Sequence, residues 1–334
     1  LLVREISKLE DWLLTDELTG MGTASYPDQN DEAMWEWDEQ QWEAYRQANK
    51  QKDRNYLANL KDFVQGFASQ KDGAVTGDLS NLFAGHLALL QKQGGTARKY
   101  LEAISPKANS RIAEQQLTEQ ILLLLNSADI GSAVTKDQLA DLLGRLKNVK
   151  KDHPNSKRDF YALNLLLSRD YLTIRGGDLL TAYLFNNHAL ELPTDQRYDY
   201  GTAYYELIRF LDWRASEQDI DNLLALMDKK NKTPLERYLM AAPLPSRNAL
   251  LDLRGTISFR KNDLSAAVAA FEKVDPNFWE SKYEFADYLV SDPFVVATDS
   301  LHRGVFPATK TSFVQQLMQL ENEAKANPAM AAKN

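Results

Sequence analysis

The chain has 334 residues, of which 44% are apolar and 26% charged, so it can bury a large core and disorder is not expected. Its 47 acidic and 39 basic residues give a net charge of -8, without the basic excess that phosphate binding requires, so nucleic acid is not an expected partner. The absence of cysteine excludes disulfides and thiolate metal sites, and no apolar run approaches the ~18–20 residues that span a bilayer, so we expect a soluble chain without a transmembrane segment.

The N-terminal region, 1–75, is predicted to be a helical segment. It begins at Leu1 rather than at a methionine and is amphipathic from its first residues. We therefore expect a processed or excised piece whose targeting segment has been removed. A lost export signal would favour the periplasmic side of a bacterial cell envelope over the cytoplasm, although the lack of cysteine is compatible with both compartments.

A segment rich in aromatic and acidic residues, 34–45, holds three of the six tryptophans. At helical spacing Trp35 and Trp42 share a face, Tyr45 follows three residues after Trp42, and Trp37 points elsewhere. These rings can form a recognition surface for a peptide, a sugar or a cationic partner. They can equally pack an N-terminal helix between its neighbours. We take all four as candidate partner-binding residues.

The carboxylates of the same segment, Glu36, Asp38, Glu39 and Glu43, are compatible with glycosidase chemistry, in which paired carboxylates flank the sugar. A carbohydrate-active enzyme of helical-toroid type is therefore the alternative function. Four carboxylates on one exposed helix are more often a solvated face. We expect a chain that is not an enzyme.

Amphipathic helix patterns recur along the rest of the chain, and no alternating run of β-branched residues competes with them. The leucine stripe over 139–149 follows Thr135 and Gln138, which have the spacing of a capping box. Thr233 and Pro234 indicate another helix start. Further apolar stripes cover 113–128, 220–227 behind Ser216, and 313–324. The glycine pairs 94–95 and 176–177 predict turns between helices.

One helix-pair pattern recurs along the chain. Gly255 and Ala267 lie 12 residues apart, Phe271 follows four residues later, and Pro276 ends the pattern. The same spacing relates Gly85, Ala97, Leu101 and Pro106, and a looser copy contains Leu166, Asp170, Ala182 and Ala189. The alanines at 97, 182 and 267 are 85 residues apart, and those at 140 and 225 lie midway, which suggests a unit of 42–43 residues.

This pattern resembles the tetratricopeptide repeat, in which small residues let helix A and helix B approach closely and a large residue fills the groove beside them. Ser258 stands where that motif usually has an aromatic residue. The overall sequence pattern is also similar to that of large helical-repeat proteins of the Bacteroidetes cell envelope. The resemblance implies an all-α protein, an α-solenoid of antiparallel helix pairs, that binds protein or peptide and is not an enzyme.

A tyrosine-rich run, Tyr198 to Tyr205, lies beside Arg197 and Arg209. It can line a concave groove or form the core between repeats. We take Tyr200 and Tyr204 as further candidate partner-binding residues.

Neither a cofactor nor a metal is expected. His86, His153, His188 and His302 are scattered, and neither His188 nor His302 has neighbours that complete a set of three ligands. The chain also lacks a phosphate-binding glycine loop before a Lys-Ser/Thr pair and a Gly-x-Ser-x-Gly nucleophile elbow.

The sequence therefore predicts three regions: the N-terminal segment over 1–75, a helical-repeat array over 76–290, and a C-terminal cap with a final helix over 291–334. Stacked helix pairs produce a long concave face. We expect a non-enzymatic scaffold that binds protein or peptide within a larger assembly, with the partner left open.

Overall fold

The computed structural model describes residues 5, 6, 9, 38–68, 74–127, 129–149, 156–174, 177–190, 200–281 and 309–326. Its helices are α1 (Glu39–Ala68), α2 (Ala74–Leu90), α3 (Gly94–Glu102), α4 (Ser110–Ser127), α5 (Ala133–Val149), α6 (Ser156–Arg169), α7 (Leu179–His188), α8 (Tyr200–Arg214), α9 (Glu217–Asp228), α10 (Pro234–Leu239), α11 (Arg247–Arg260), α12 (Leu264–Phe271), α13 (Pro276–Ser281) and α14 (Lys310–Ala326). A π-helical turn, Asp170–Ile174, follows α6. No strand occurs within these ranges, so the all-α prediction is confirmed for them.

The chain forms two compact units, Leu1–Pro154 and Asn155–Asn334. In the first unit α2 packs on α1 and α3, and α4 packs on α2, α3 and α5. In the second unit α6 packs on α7, α11 packs on α8, α9 and α12, and α14 packs on α12. The division at 75/76 and 290/291 stays a prediction. No helix in the described ranges is both long enough and apolar enough to cross a membrane.

Two helix starts have reciprocal caps, and the sequence predicted the one at Thr233. At α9 the backbone N–H of Asp219 donates to Ser216 Oγ, and the Asp219 carboxylate accepts the N–H of Ser216 at 2.8 Å. At α10 Glu236 and Thr233 make the same exchange, with Pro234 as the first helical residue. Each box satisfies two backbone donors that the helix leaves unpaired.

The capping box predicted at Thr135 is wrong. Helix α5 begins at Ala133, and the N–H of Thr135 donates to Ser132 Oγ at 3.2 Å. Thr135 is itself buried within the first turn. The capping hydroxyl is therefore three residues earlier in the chain than the sequence pattern indicated.

Three turns between helices recur at a spacing of 85 residues. Lys92, Gly177 and Asn262 have φ values of 60°, 57° and 61°, and each precedes the N-cap residue of the next helix. A positive φ is uncommon for lysine or asparagine. Lys92 and Asn262 adopt it just after the ends of α2 and α11, and so close these two helices. The sequence placed the first turn at Gly94–Gly95, which is wrong because those residues begin α3.

The small residues of the repeat pattern lie at close contacts between helices. Ala97, Ala182 and Ala267 are fully buried, each four residues after an N-cap. A Cβ atom on Gly85 would lie 3.0 Å from Leu101, and one on Gly255 would lie 2.4 Å from the ring of Phe271. The same relation between glycine and large residue therefore occurs in the α2–α3 pair and in the α11–α12 pair.

The midpoint alanines do not repeat in the same way. Ala140 is buried in α5, whereas Ala225 is exposed on α9. The serines at the starts of these helices, Ser132 and Ser216, are 84 residues apart. A regular unit of 42–43 residues is therefore not present at these positions, and the 85-residue period belongs to the turns and the buried alanines.

Helices α9 and α11 run antiparallel, as three ion pairs between them show. Arg247 and Arg254 lie on α11 and Lys261 directly follows it, at intervals of seven residues. Their partners on α9 are Asp228, Asp221 and Glu217, in descending order along the chain. Basic residues two turns apart on one helix thus bind carboxylates of its neighbour.

We expect Gly255→Ala to destabilise the protein by about 1–3 kcal/mol, because the new methyl group would collide with the ring of Phe271. In an open helix the same substitution should stabilise by roughly 1 kcal/mol. Gly144→Ala in α5 is the matched control, since no atom lies within 4 Å of its Cβ position. Denaturant midpoints compare the two variants, and equal midpoints would show that α11 and α12 are not in this contact.

Candidate binding groove

The aromatic candidates of the N-terminal segment are only partly described. Trp35 and Trp37 lie outside the described residues. Trp42 lies in α1, and Tyr45 is half-buried on the same helix. Their role in binding stays a prediction.

The tyrosine candidates belong to the second unit. Tyr200 is the first residue of α8, and Tyr204 lies one turn later in the same helix. Tyr200 and Tyr204 therefore lie one turn apart on one helix of the second unit, whereas Tyr45 belongs to the first unit. Their part in a binding surface also stays a prediction.

A different site is visible in the first unit, where α3, α4 and α5 enclose an open groove of about 560 Å³. Its floor is apolar and consists of leucines from all three helices: Leu101, Leu123, Leu124 and Leu142. Its rim consists of the side chains of Arg98, Glu102, Gln120, Asp137, Gln138 and Asp141. The groove thus combines an apolar base with a polar edge, which is the usual composition of a binding site.

The floor is held in place by hydrogen bonds at the end of α3. Gln116 on α4 donates from Nε2 to the carbonyl of Leu101 at 2.7 Å. Asp78 on α2 accepts the backbone N–H of Ser105 at 2.8 Å, directly after α3. Leu101 and Leu123 also belong to the core that α2, α3 and α4 share. The groove is therefore built on a packed base.

The rim is predominantly acidic, with three carboxylates and one guanidinium. Asp141 lies 3.8 Å from Arg145, and both side chains are largely exposed. Within the described ranges, Glu102 and Asp137 have no ion-pair partner. A groove lined in this way presents a negative field above an apolar floor.

In the second unit, the position equivalent to Arg98 belongs to the core. Tyr183 occurs 85 residues after Arg98 and is fully buried on α7. Its hydroxyl donates to the carbonyl of Leu207 at 2.9 Å, and its ring lies 5.8 Å from that of Phe210 on α8. Burial raises the pKa of the Tyr183 hydroxyl well above its usual value. An exposed arginine thus stands on the groove where the next copy has a core tyrosine.

None of the groove residues was among the candidates from sequence. The detectable signal is the change from Arg98 to Tyr183 at equivalent positions of the 85-residue pattern. An exposed charged residue in one copy and a buried aromatic residue in another indicate that the two copies have different surroundings at this position. Arg98 and Tyr183 become equivalent only when the two copies are aligned on the turns at Lys92 and Gly177. The sequence had indicated the first of these turns at Gly94–Gly95 instead.

The two described histidines take part in internal contacts. His86 is buried, with Nδ1 2.8 Å from Glu119 Oε1, which also accepts from Gln115 Nε2 at 2.9 Å. His188 donates from Nε2 to the carbonyl of Tyr238 at 2.9 Å, and the two rings stack at 4.5 Å. Within the described ranges, no three side chains of the metal-ligating types come together as a possible metal site.

No protein-family model, no curated protein and no solved structure matches this chain. The functional interpretation therefore depends on the groove and on the internal repeat.

Proposed function

We propose that the chain is a non-enzymatic scaffold of tetratricopeptide-like helix pairs that binds protein or peptide segments within a larger assembly. The groove between α3, α4 and α5 is the observation that carries this proposal. Two of its four floor leucines, Leu101 and Leu123, belong to the packed core of the unit, and the floor opens to solvent. Helical scaffolds bind the apolar side of a partner segment in grooves of this kind.

The internal repeat supports the scaffold part of the proposal. Turns with a positive φ at Lys92, Gly177 and Asn262 connect successive helices, and a buried alanine follows each turn. Glycines face large residues in two of the three pairs. Such helix pairs bury their apolar faces on their neighbours and leave the remaining surface for binding.

The test is a selection from a library of displayed peptides against the purified chain and against Gln138→Trp. Gln138 is exposed at the rim, so a tryptophan there should cover the floor without entering the core. We expect the selected peptides to lose binding to Gln138→Trp by ~10-fold or more, equivalent to about 1.4 kcal/mol.

Gln51→Trp on the exposed surface of α1 is the matched control, and it should leave the peptide affinities unchanged. Selected peptides that bind Gln138→Trp as tightly as the parent would contradict the proposal, as would a selection that yields no binding peptide.

A further inference from the structure

We propose that the groove between α3, α4 and α5 takes a basic, amphipathic α-helix of a partner protein, a proposal that rests on the binding function above. Leucine-type side chains of that helix would occupy the apolar floor. Its lysine or arginine side chains would lie along the acidic rim.

The backbone of the groove favours a helical occupant. All three walls are α-helices, whose internal N–H and C=O groups are bonded within each helix. An extended peptide would find no free strand edge there to supply its own backbone with partners. A helix satisfies its backbone internally and needs only side-chain contacts, which an apolar floor provides.

The charge of the rim favours a basic occupant. The rim has three carboxylates, those of Glu102, Asp137 and Asp141, and one guanidinium, that of Arg98. Glu102 and Asp137 have no ion-pair partner in the described ranges. Opposite charge on a docking helix would pair with them and would also steer its approach.

The second unit contains an interaction of the same chemistry. Asp137 lies five residues after the serine that starts α5, and Asp221 lies five residues after the serine that starts α9. Arg254 on α11 binds the Asp221 carboxylate through two hydrogen bonds, at 2.7 Å and 3.0 Å. A helix with basic residues therefore already packs on the counterpart of α5, whereas Asp137 itself has no such partner.

The test measures binding of three synthetic peptides to the full chain by fluorescence anisotropy. The first has leucine and lysine in an amphipathic helical pattern, the second replaces each lysine by glutamate, and the third scrambles the first. We expect the Leu/Lys helix to bind at least ~10-fold more tightly than either of the others. Equal binding of the glutamate or scrambled peptide would overturn the proposal, and so would no binding of the Leu/Lys peptide.

Charge-reversal variants place the contact in the groove. Asp137→Lys should weaken binding of the Leu/Lys peptide by ~10-fold or more, and Glu102→Lys should weaken it similarly from the opposite wall. Asp62→Lys, on the exposed surface of α1 in the same unit, changes the net charge equally and should have less than about a twofold effect. Equal losses in Asp62→Lys and Asp137→Lys would show attraction to net charge alone and would overturn the proposal.

The outcome also separates this proposal from the binding function on which it rests. If the peptides selected from the library need an open groove but carry no basic residues, the basic helix is wrong and the scaffold function stands. If Gln138→Trp changes the binding of no selected peptide, the scaffold function itself fails.

Discussion

Ala267→Glu is expected to destabilise the second unit by more than about 3 kcal/mol, because it combines overpacking with burial of an unpaired charge. Ala267 is fully buried on α12, which packs on both α11 and α14. One turn later, the ring of Phe271 already fills the space beside Gly255. A glutamate side chain at 267 would have to displace one of the neighbouring helices.

Hydrogen exchange should show the loss directly. Amides of α11, α12 and α14 should exchange faster in Ala267→Glu, while those of α2 to α5 in the first unit keep their protection. Ala269→Glu is the control, since Ala269 is exposed on the same helix and receives the same charge. If the two variants melt and exchange alike, residue 267 is not at a close helix contact, and the helix-pair pattern from Gly255 to Pro276 is wrong.

Lys310→Met is expected to cost about 3 kcal/mol at neutral pH, because it leaves a buried carboxylate without its cation. Lys310 Nζ lies 2.6 Å from Asp252 Oδ1 and 3.1 Å from Thr256 Oγ1. The same ammonium lies 5.6 Å from the ring centroid of Phe271 and 5.7 Å from that of Trp279. This one side chain therefore connects the start of α14 to α11, α12 and α13.

The loss in Lys310→Met should depend on pH. Burial raises the pKa of the Asp252 carboxyl, and the Lys310 ammonium opposes that rise. A group with a raised pKa in the folded state favours folding below its unfolded pKa, and this contribution is lost as the pH rises through the folded pKa. Without Lys310 the folded-state pKa of the Asp252 carboxyl is higher still. The stability lost in Lys310→Met should therefore be largest near neutral pH and shrink as the solution is acidified.

Urea unfolding of parent and variant at several pH values measures this deficit. Lys325→Met is the control on the same helix, because the Lys325–Glu321 pair is exposed and should contribute only about 0.3–0.5 kcal/mol. Asp252→Asn should restore stability to Lys310→Met by removing the unpaired charge. A deficit that is independent of pH, or equal to that of Lys325→Met, would contradict this description of the pair.

The close helix contacts could be predicted from sequence because their signal is local. The distance along the chain from Gly255 to Ala267 and Phe271 is set by one helix, a short turn and the next helix. Small residues at that spacing indicate where two helices approach. In the structure Gly255 lies against the ring of Phe271, and Ala267 is fully buried. The helix starts at Ser216 and Thr233 are local in the same sense.

The turns were harder to predict because lysine and asparagine adopt the conformation usually reserved for glycine. Lys92 has a positive φ, and the two glycines that follow it form the first turn of α3. A rule that assigns turns to glycine pairs therefore places this turn two residues too late. That error put the glycines out of register with the buried alanines and hid the 85-residue period of the turns.

The groove could not be predicted because it depends on the distance between helices that are not consecutive in the chain. Gln138 and Asp141 flank the leucine stripe of α5 and have the pattern of a solvated helix face. Arg98 lines the groove between α3 and α5, whereas α7 has the buried Tyr183 at the equivalent position. No local pattern in α5 contains that information.

Hydrogen exchange of the chain with and without a saturating peptide from the library selection tests the groove most directly. The account predicts added protection in α3, α4 and α5, concentrated at 98–102, 120–124 and 137–142, which line the groove. Added protection confined to α1 or α8, which carry the aromatic candidates Tyr45 and Tyr204, with α3 to α5 unchanged, would contradict it.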